Sequence, residues 1–358
     1  MTSLLLFWGM LAFAVSFLAT VVVKRFALRG GLVDRPTSDR HIHTRPVARL
    51  GGLAIFLAFA LCVLLVLATS GALTDGRITV SHYFGILLGG FLLMLGGAVD
   101  DRLDLPPWLS IWAPLAATLA LIVSGVEVEK LTNPFGGVLW LSPWQSDAIV
   151  FVWMMIVIYT TKFLDGLDGL ATSVSTVGAL MILLLSLSAA YYQPDVALLS
   201  AVAIGSFLGF LFWNFHPASI FLGEGGSTFV GFVLGTLAVI SGGKLATALL
   251  VLGIPLLDAI WVVLRRWRKG GLRRVFRGDR NHLHHRLLDL GLGQRRILFI
   301  YVFVAMTFGV STLFLQSRQK LAALVLLGLM MVIAAAVLVG KEVTSTRHLE
   351  RTQRAEDL

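Results

Sequence analysis

The sequence predicts an all-α polytopic membrane protein with about eleven transmembrane helices, the N-terminus outside, the C-terminus cytoplasmic and an active site at the cytoplasmic face. Three observations carry that expectation. Of 358 residues, 57% are hydrophobic and only 14% charged, far from the balance of a soluble domain. The apolar residues fall in runs near the roughly 20 residues a helix needs to cross the hydrocarbon core. The basic residues collect on alternate loops between those runs.

In chain order the runs lie near 3–23, 50–70, 82–99, 108–125, 147–164, 170–191, 196–213, 227–241, 245–264, 296–315 and 320–340. The eighth is short and the ninth has a soft boundary, which leaves ten or twelve spans open. No basic residue precedes the first run and Lys24 and Arg25 follow it directly, the pattern of a retained span rather than a cleaved signal peptide. With the N-terminus outside, the inward segments hold 24 of the 29 Lys and Arg, leaving only Arg77, Lys130, Lys244, Arg318 and Lys320 outside. The net charge of +9 then reflects inner loops facing anionic headgroups and an anionic substrate, without nucleic acid. Residues 1–340 read as one integral-membrane domain and 341–358 as a polar cytoplasmic tail. The single cysteine, Cys62, lies mid-span, so no intramolecular disulfide forms.

Acidic residues collect on the expected inner face: Asp100 and Asp101 in "GGAVDDRLDLPP", Asp165 and Asp168 in "FLDGLDGLA", and Glu224 in "FLGEGGS", with Asp34, Asp39 and Asp258 on the same side. Acids in or beside spans are costly in lipid and mark polar cavities. Any one of them alone reads equally well as a helix cap or a surface ion pair. Carboxylates gathered from three loops repel one another unless something positive sits among them. A hard divalent cation, Mg²⁺ with Mn²⁺ as the alternative, answers that need through carboxylates and substrate phosphates. Zinc is disfavoured, because there is no cysteine to pair with the histidines and no HExxH. Lys162 lies three residues before Asp165, on roughly the same helical face, where it can neutralise the aspartates or touch a phosphate.

Two inner loops supply cations. "DRPTSDRHIHTRPVARLGGLAI" carries Arg40, His41, His43, Arg45 and Arg49, and "RRVFRGDRNHLHHRLLDLGL" carries Arg277, Arg280, His282, His284, His285 and Arg286. Arginine forks and protonated imidazoles donate to phosphate oxygens. About half of these basic residues are accounted for by a headgroup belt alone, but topology asks for Lys or Arg and not for three histidines in four positions. Glycines flank the acids at Gly166, Gly169, Gly223, Gly225 and Gly226, allowing close backbone approach to a phosphate.

"RHIHTRPVARLGGLAI", "DDRLDLPP", "FLDGLDGLA", "WNFHPASIFLGEGGS", "PLLDAIWVVLRR" and "DRNHLHHRLLDLGL" occur in an order and spacing that resembles the polyprenyl-phosphate N-acetylhexosamine-1-phosphate transferases of glycosyltransferase family 4. The likeness runs from about residue 24 to residue 295, and "VEVEKLTNPFGG" is similar to that family's external hairpin. The resemblance implies attack of polyprenyl phosphate on the β-phosphorus of a UDP-N-acetylhexosamine, release of UMP, a Mg²⁺ requirement and a place in the plasma membrane. Its implied partners are the UDP-sugar, polyprenyl phosphate, the bilayer and, as a homodimer, a second copy of the chain. Residue by residue it makes Asp100 the base or orienter of the lipid phosphate, with Asp101 beside it. Asp165 and Asp168 then hold metal or nucleotide, and Glu224 stands at a metal-ligand position. His282, His284 and His285 with Arg280, Arg40, His43 and Arg49 bind substrate, as do Lys162 and Asn214; Asp258 matches a family position without a definite role.

The chain departs from that pattern twice, with Lys162 where the family usually has Asn and Glu224 where it usually has Asp. Both alter the innermost site and leave an inactive paralogue as an alternative. A transporter of an anionic solute or metal is a further alternative, disfavoured because no repeated halves are visible and the polar residues cluster at one interface.

Overall fold

The computed structural model describes residues 1–34, 46–133, 136–242, 244–270 and 282–333, and they are mostly helical. The helices are α1 (Thr2–Arg29), α2 (Gly51–Thr69), α3 (Val80–Leu103), α4 (Pro107–Ser110), α5 (Trp112–Val123), α6 (Pro143–Leu164) and α7 (Leu170–Leu187). They continue with α8 (Pro194–Asn214), α9 (Gly223–Ile240), α10 (Leu245–Val251), α11 (Gly253–Gly270), α12 (Leu283–Asp289) and α13 (Gln294–Phe314). A last helix, α14, covers 317–333 of the described residues.

Eight of these helices are long and apolar enough to cross a bilayer, and nine if α10 and α11, bent by 77°, count as one span. The expected eleven are therefore not reproduced among the described residues. The fourth run breaks after Ser110, so that α4 and α5 together make only a shorter apolar helix. The ninth breaks at Leu252, three residues before Pro255, whose missing N–H cannot serve an unbroken helix there. The eleventh runs beyond the described residues.

Local sequence explains several helix ends. Ser142 and Gln145 form a capping box ahead of α6, with Pro143 at its first position, and Thr79 and His82 form another ahead of α3. Pro194 opens α8 in the same way. Between α6 and α7 the chain turns through Asp165 to Gly169, whose φ of +72° suits a residue without a Cβ. Two short antiparallel hairpins complete the described fold. One pairs β1 (Val33–Asp34) with β2 (Val47–Ala48), and the other pairs β3 (Lys130–Thr132) with β4 (Val138–Trp140) where the external hairpin was expected.

Helix α9 is the hub: α2, α3, α6, α7, α8 and α10 all pack against it, and almost every residue of α9 after Glu224 is buried. Glycine sets how closely its neighbours approach. A Cβ on Gly97 of α3 would lie 2.1 Å from the Gly225 nitrogen, and one on Gly52 of α2 would lie 2.0 Å from Gly226 Cα. These contacts bring the C-terminal end of α3 and the N-terminal end of α9 together. The C-terminal end of α6 packs on the same hub, so Asp100, Asp101, Asp165 and Glu224 meet at one end of the bundle.

Candidate active site

The site grows from those three helix ends. Asp100 and Asp101 sit in the last turn of α3, Lys162 in the last turn of α6 with Asp165 just beyond it, and Glu224 in the first turn of α9. Asp100 is held at both oxygens: the Leu105 amide donates to Oδ1 at 2.8 Å and the Ser110 hydroxyl to Oδ2 at 3.1 Å. Asp101 Oδ2 accepts the Glu224 amide at 3.1 Å, tying α3 to α9. Lys162 Nζ lies 2.5 Å from Glu224 Oε1 and 3.4 Å from Ser110 Oγ. Ser110 thus stands between Asp100 and the Lys162–Glu224 pair.

Asp165 differs from its neighbours. Among the described residues no group donates a hydrogen bond to its carboxylate or pairs with it. Burial, followed by the nearby charges of Glu224, Asp101 and Asp168, raises its pKa well above the usual carboxylate range. The ammonium of Lys162 pairs with Glu224, from a different helix, rather than directly with either aspartate of its own turn. Among the described residues, Lys162 is thus the cation in direct contact with the group formed by Asp100, Asp101, Asp165 and Glu224.

Asp168 faces the other way. Its Oδ2 accepts from His216 Nδ1 at 2.7 Å and from the Ala218 amide at 3.0 Å, fastening the α6–α7 turn to the segment after α8. Asn214 does similar work: it is buried, accepts from the Gly169 amide at 3.1 Å and donates to the Ile220 carbonyl at 3.0 Å. Its amide is committed to protein groups, which makes it a brace for the turn. Arg295 Nε and Nη2 donate to the His216 carbonyl at 3.1 and 3.0 Å.

The histidines approach from α12. His282 caps that helix, and Asp258 of α11 receives both its Nδ1 at 2.9 Å and the Leu283 amide at 2.9 Å. Phe163, His282 and His284 form a ladder of rings, at 5.7 Å and 5.6 Å between centroids, with His285 4.3 Å beyond His284. The ladder ends on the acidic turn, since a Cβ on Gly166 would lie 2.2 Å from His284 Nε2. His284 is buried, and that burial, with His285 and His282 nearby, lowers its pKa well below the usual imidazole range. Both effects favour the uncharged ring at this position.

Arg49 pairs with Asp34 and stands 3.8 Å from Asp104, at the edge of the acidic group. Arg40, His43 and Arg280 lie outside the described residues. The structure thus brings together Asp100, Asp101, Lys162, Asp165 and Glu224, and sets the histidines against them through Phe163 and Gly166. Two participants were not singled out from the sequence: Ser110 gave no signal there, and His216 was visible only as part of "WNFHPAS". Asp258 was named there without a definite role.

The donor set bears on metal binding. Among the described residues no three His, Cys, Asp or Glu side chains are grouped tightly enough to hold an ion between them. Mg²⁺ does not demand such a cage, because it commonly takes one or two carboxylates, with phosphates and waters completing the shell. Asp165, with both oxygens uncommitted, and Asp101, with one, fit that smaller set. Glu224 offers only the oxygen that Lys162 leaves, and Asp168 only its Oδ1.

Residues 83–242, which span α3 to the end of α9, match the family model described as Glycosyl transferase family 4. Full-length relatives agree. The chain is 31% identical over 316 residues to a probable undecaprenyl-phosphate N-acetylglucosaminyl 1-phosphate transferase of Bacillus subtilis, covering 86% of this chain and 84% of the relative. The chain belongs to glycosyl transferase family 4. It is also 34% identical to the decaprenyl-phosphate N-acetylglucosaminephosphotransferase of Mycobacterium tuberculosis, over 92% of this chain and 87% of that protein. A third family 4 relative, the undecaprenyl-phosphate alpha-N-acetylglucosaminyl 1-phosphate transferase of Haemophilus influenzae, is 31% identical over 82% of each chain.

Proposed function

We propose that this family 4 chain transfers N-acetylglucosamine 1-phosphate from a UDP-sugar to polyprenyl phosphate, releasing UMP. The observation that carries the reading is the meeting of Asp100, Asp101, Asp165, Lys162 and Glu224 at one end of a membrane bundle whose relatives are named for this transfer. In the reaction an oxygen of polyprenyl phosphate attacks the β-phosphorus of the donor. The bond from that phosphorus to the bridging oxygen breaks, and UMP leaves with the electron pair.

Asp100 is fixed by the Leu105 amide and Ser110, so its carboxylate orients the lipid phosphate and takes the proton of a monoanionic phosphate. Asp165 with Asp101 and Glu224 would hold Mg²⁺, which supplies neutralisation of the diphosphate and of charge developing on UMP. Asp168 and Asn214 keep the turn carrying Asp165 in place. His282 and His284, anchored by Asp258, form the wall of rings beside that turn. Catalysis on this account is mainly positioning and electrostatics.

The site lies at the cytoplasmic face of the plasma membrane, with the N-terminus outside. This orientation is supported by the sequence, in which 24 of the 29 Lys and Arg fall on the segments expected to face inward. The test is UMP release by purified protein in detergent. Release that requires both UDP-N-acetylglucosamine and polyprenyl phosphate supports the reading, and release independent of the lipid phosphate refutes it.

A further inference from the structure

Lys162 is placed oddly for a residue that only balances charge. Among the described residues its ammonium is the cation in direct contact with the group of Asp100, Asp101, Asp165 and Glu224, yet it is not locked away: about a quarter of its side chain and a fifth of that of Glu224 remain exposed. Nζ lies 5.5 Å from the centre of the Tyr159 ring and 3.4 Å from the Ser110 hydroxyl, so the side chain is guided while part of it stays exposed. Glu224 Oε1 is the acceptor it reaches most closely. One carboxylate is thus shared between a tethered ammonium and any divalent cation that enters, and it cannot serve both fully.

We infer that Lys162 is a built-in cation for the donor's diphosphate: it holds Glu224 while the site is empty and moves to a phosphate oxygen when a nucleoside diphosphate binds, leaving Glu224 to the metal. The inference rests on the transferase reading above. Two consequences follow from the geometry. The first is that part of the affinity for a nucleoside diphosphate is independent of metal, because an ammonium bound covalently to the chain is always present. The second is that Lys162 weakens the empty site for divalent cations by competing for Glu224. A purely structural ion pair has only the second property. The first one answers a physical need, since a diphosphate entering beside the carboxylates of Asp100 and Glu224 is repelled unless a cation meets it. Lysine suits the role, being a flexible point charge that can change partner without rearranging a planar fork.

The experiment measures binding, not turnover. UDP is titrated into purified full-length protein by calorimetry, first in EDTA and then in Mg²⁺, and Mn²⁺ is titrated into nucleotide-free protein by electron paramagnetic resonance. The variants are Lys162→Met, which keeps the stem and removes the charge, and Lys162→Arg, which keeps the charge. In EDTA the wild type and Lys162→Arg are expected to bind UDP at least about 10-fold more tightly than Lys162→Met. Without nucleotide, Lys162→Met is expected to bind Mn²⁺ at least about threefold more tightly than wild type. Equal UDP affinity of wild type and Lys162→Met in EDTA overturns the inference and leaves Lys162 as a structural partner of Glu224. If no variant binds UDP even with Mg²⁺, the nucleotide-sugar reading fails and this inference falls with it. UDP binding only in Mg²⁺, unchanged by Lys162→Met, overturns this inference alone. Circular dichroism and size-exclusion profiles matching wild type confirm that a variant is folded, and Lys162→Gln replaces Lys162→Met should the latter aggregate.

Discussion

The account makes close helix packing a condition of catalysis, and Gly97→Ala tests that link. The added methyl would lie 2.1 Å from the Gly225 nitrogen and 2.2 Å from its Cα. Carbon contacts become comfortable only near 3.5 Å, so α3 and α9 must part locally by roughly 1.3 Å. Both neighbours are backbone, and neither can swing aside as a side chain does. One turn further along α3 stand Asp100 and Asp101, and the 3.1 Å bond from the Glu224 amide to Asp101 would lengthen beyond hydrogen-bond range. Overpacking of this kind costs about 1–3 kcal/mol of stability, while a misplacement of about 1 Å costs roughly 100-fold in rate. Gly97→Ala should therefore insert and melt several degrees lower, with turnover down about 100-fold. Gly328→Ala is the control, since a Cβ there meets nothing within 4 Å. The assay is UMP release per correctly folded molecule in detergent. Turnover of Gly97→Ala within threefold of wild type would refute the claim that the α3–α9 approach positions the acids.

Other consequences separate residues that the sequence treats alike. Asp165→Asn should lower turnover by at least roughly 100-fold with little change in melting temperature, whereas Asp168→Asn should lower both, because it weakens the tie to His216 and Ala218; equal thermal shifts would contradict this division. Asp258→Ala removes two bonds to one carboxylate, each worth about 1.5–3 kcal/mol, and should loosen α12, raise KM for UDP-N-acetylglucosamine and leave Asp258→Asn intermediate. Elemental analysis of purified protein should find no stoichiometric zinc, since the ring nitrogens of His282 and His284 serve Asp258 and pack against Gly166; one zinc per chain, with unfolding on chelation, would overturn that assignment.

The apolar runs made the helices legible, because a chain that must satisfy its backbone in lipid has few alternatives to helix. The breaks were not legible. Leu252 interrupts α10 and α11 with only Pro255 as a hint, and the fourth run divides after Ser110 inside a stretch of uniform hydrophobicity. The membership of the acidic group was legible because such residues are costly near lipid. How each acid is used was not, since that depends on contacts from distant helices. Asp165 and Asp168 are indistinguishable by pattern, yet among the described residues the first has no side-chain partner and the second is fastened to His216. Lys162, expected beside the aspartates, reaches a carboxylate 62 positions away. His284 looks like a phosphate donor in "HLHH", and only the fold reveals the burial that lowers its pKa.

The central claim is that the chain moves a phosphosugar, not a bare sugar, onto the lipid. UDP-N-acetylglucosamine labelled with ³²P at the β-phosphate distinguishes the two outcomes in a single extraction, using purified protein, polyprenyl phosphate and Mg²⁺. The account predicts that the label enters the organic phase in polyprenyl-diphospho-N-acetylglucosamine while unlabelled UMP remains in water, and that Asp165→Asn abolishes the transfer. Label retained in the aqueous phase as UDP, with sugar on the lipid, would contradict it.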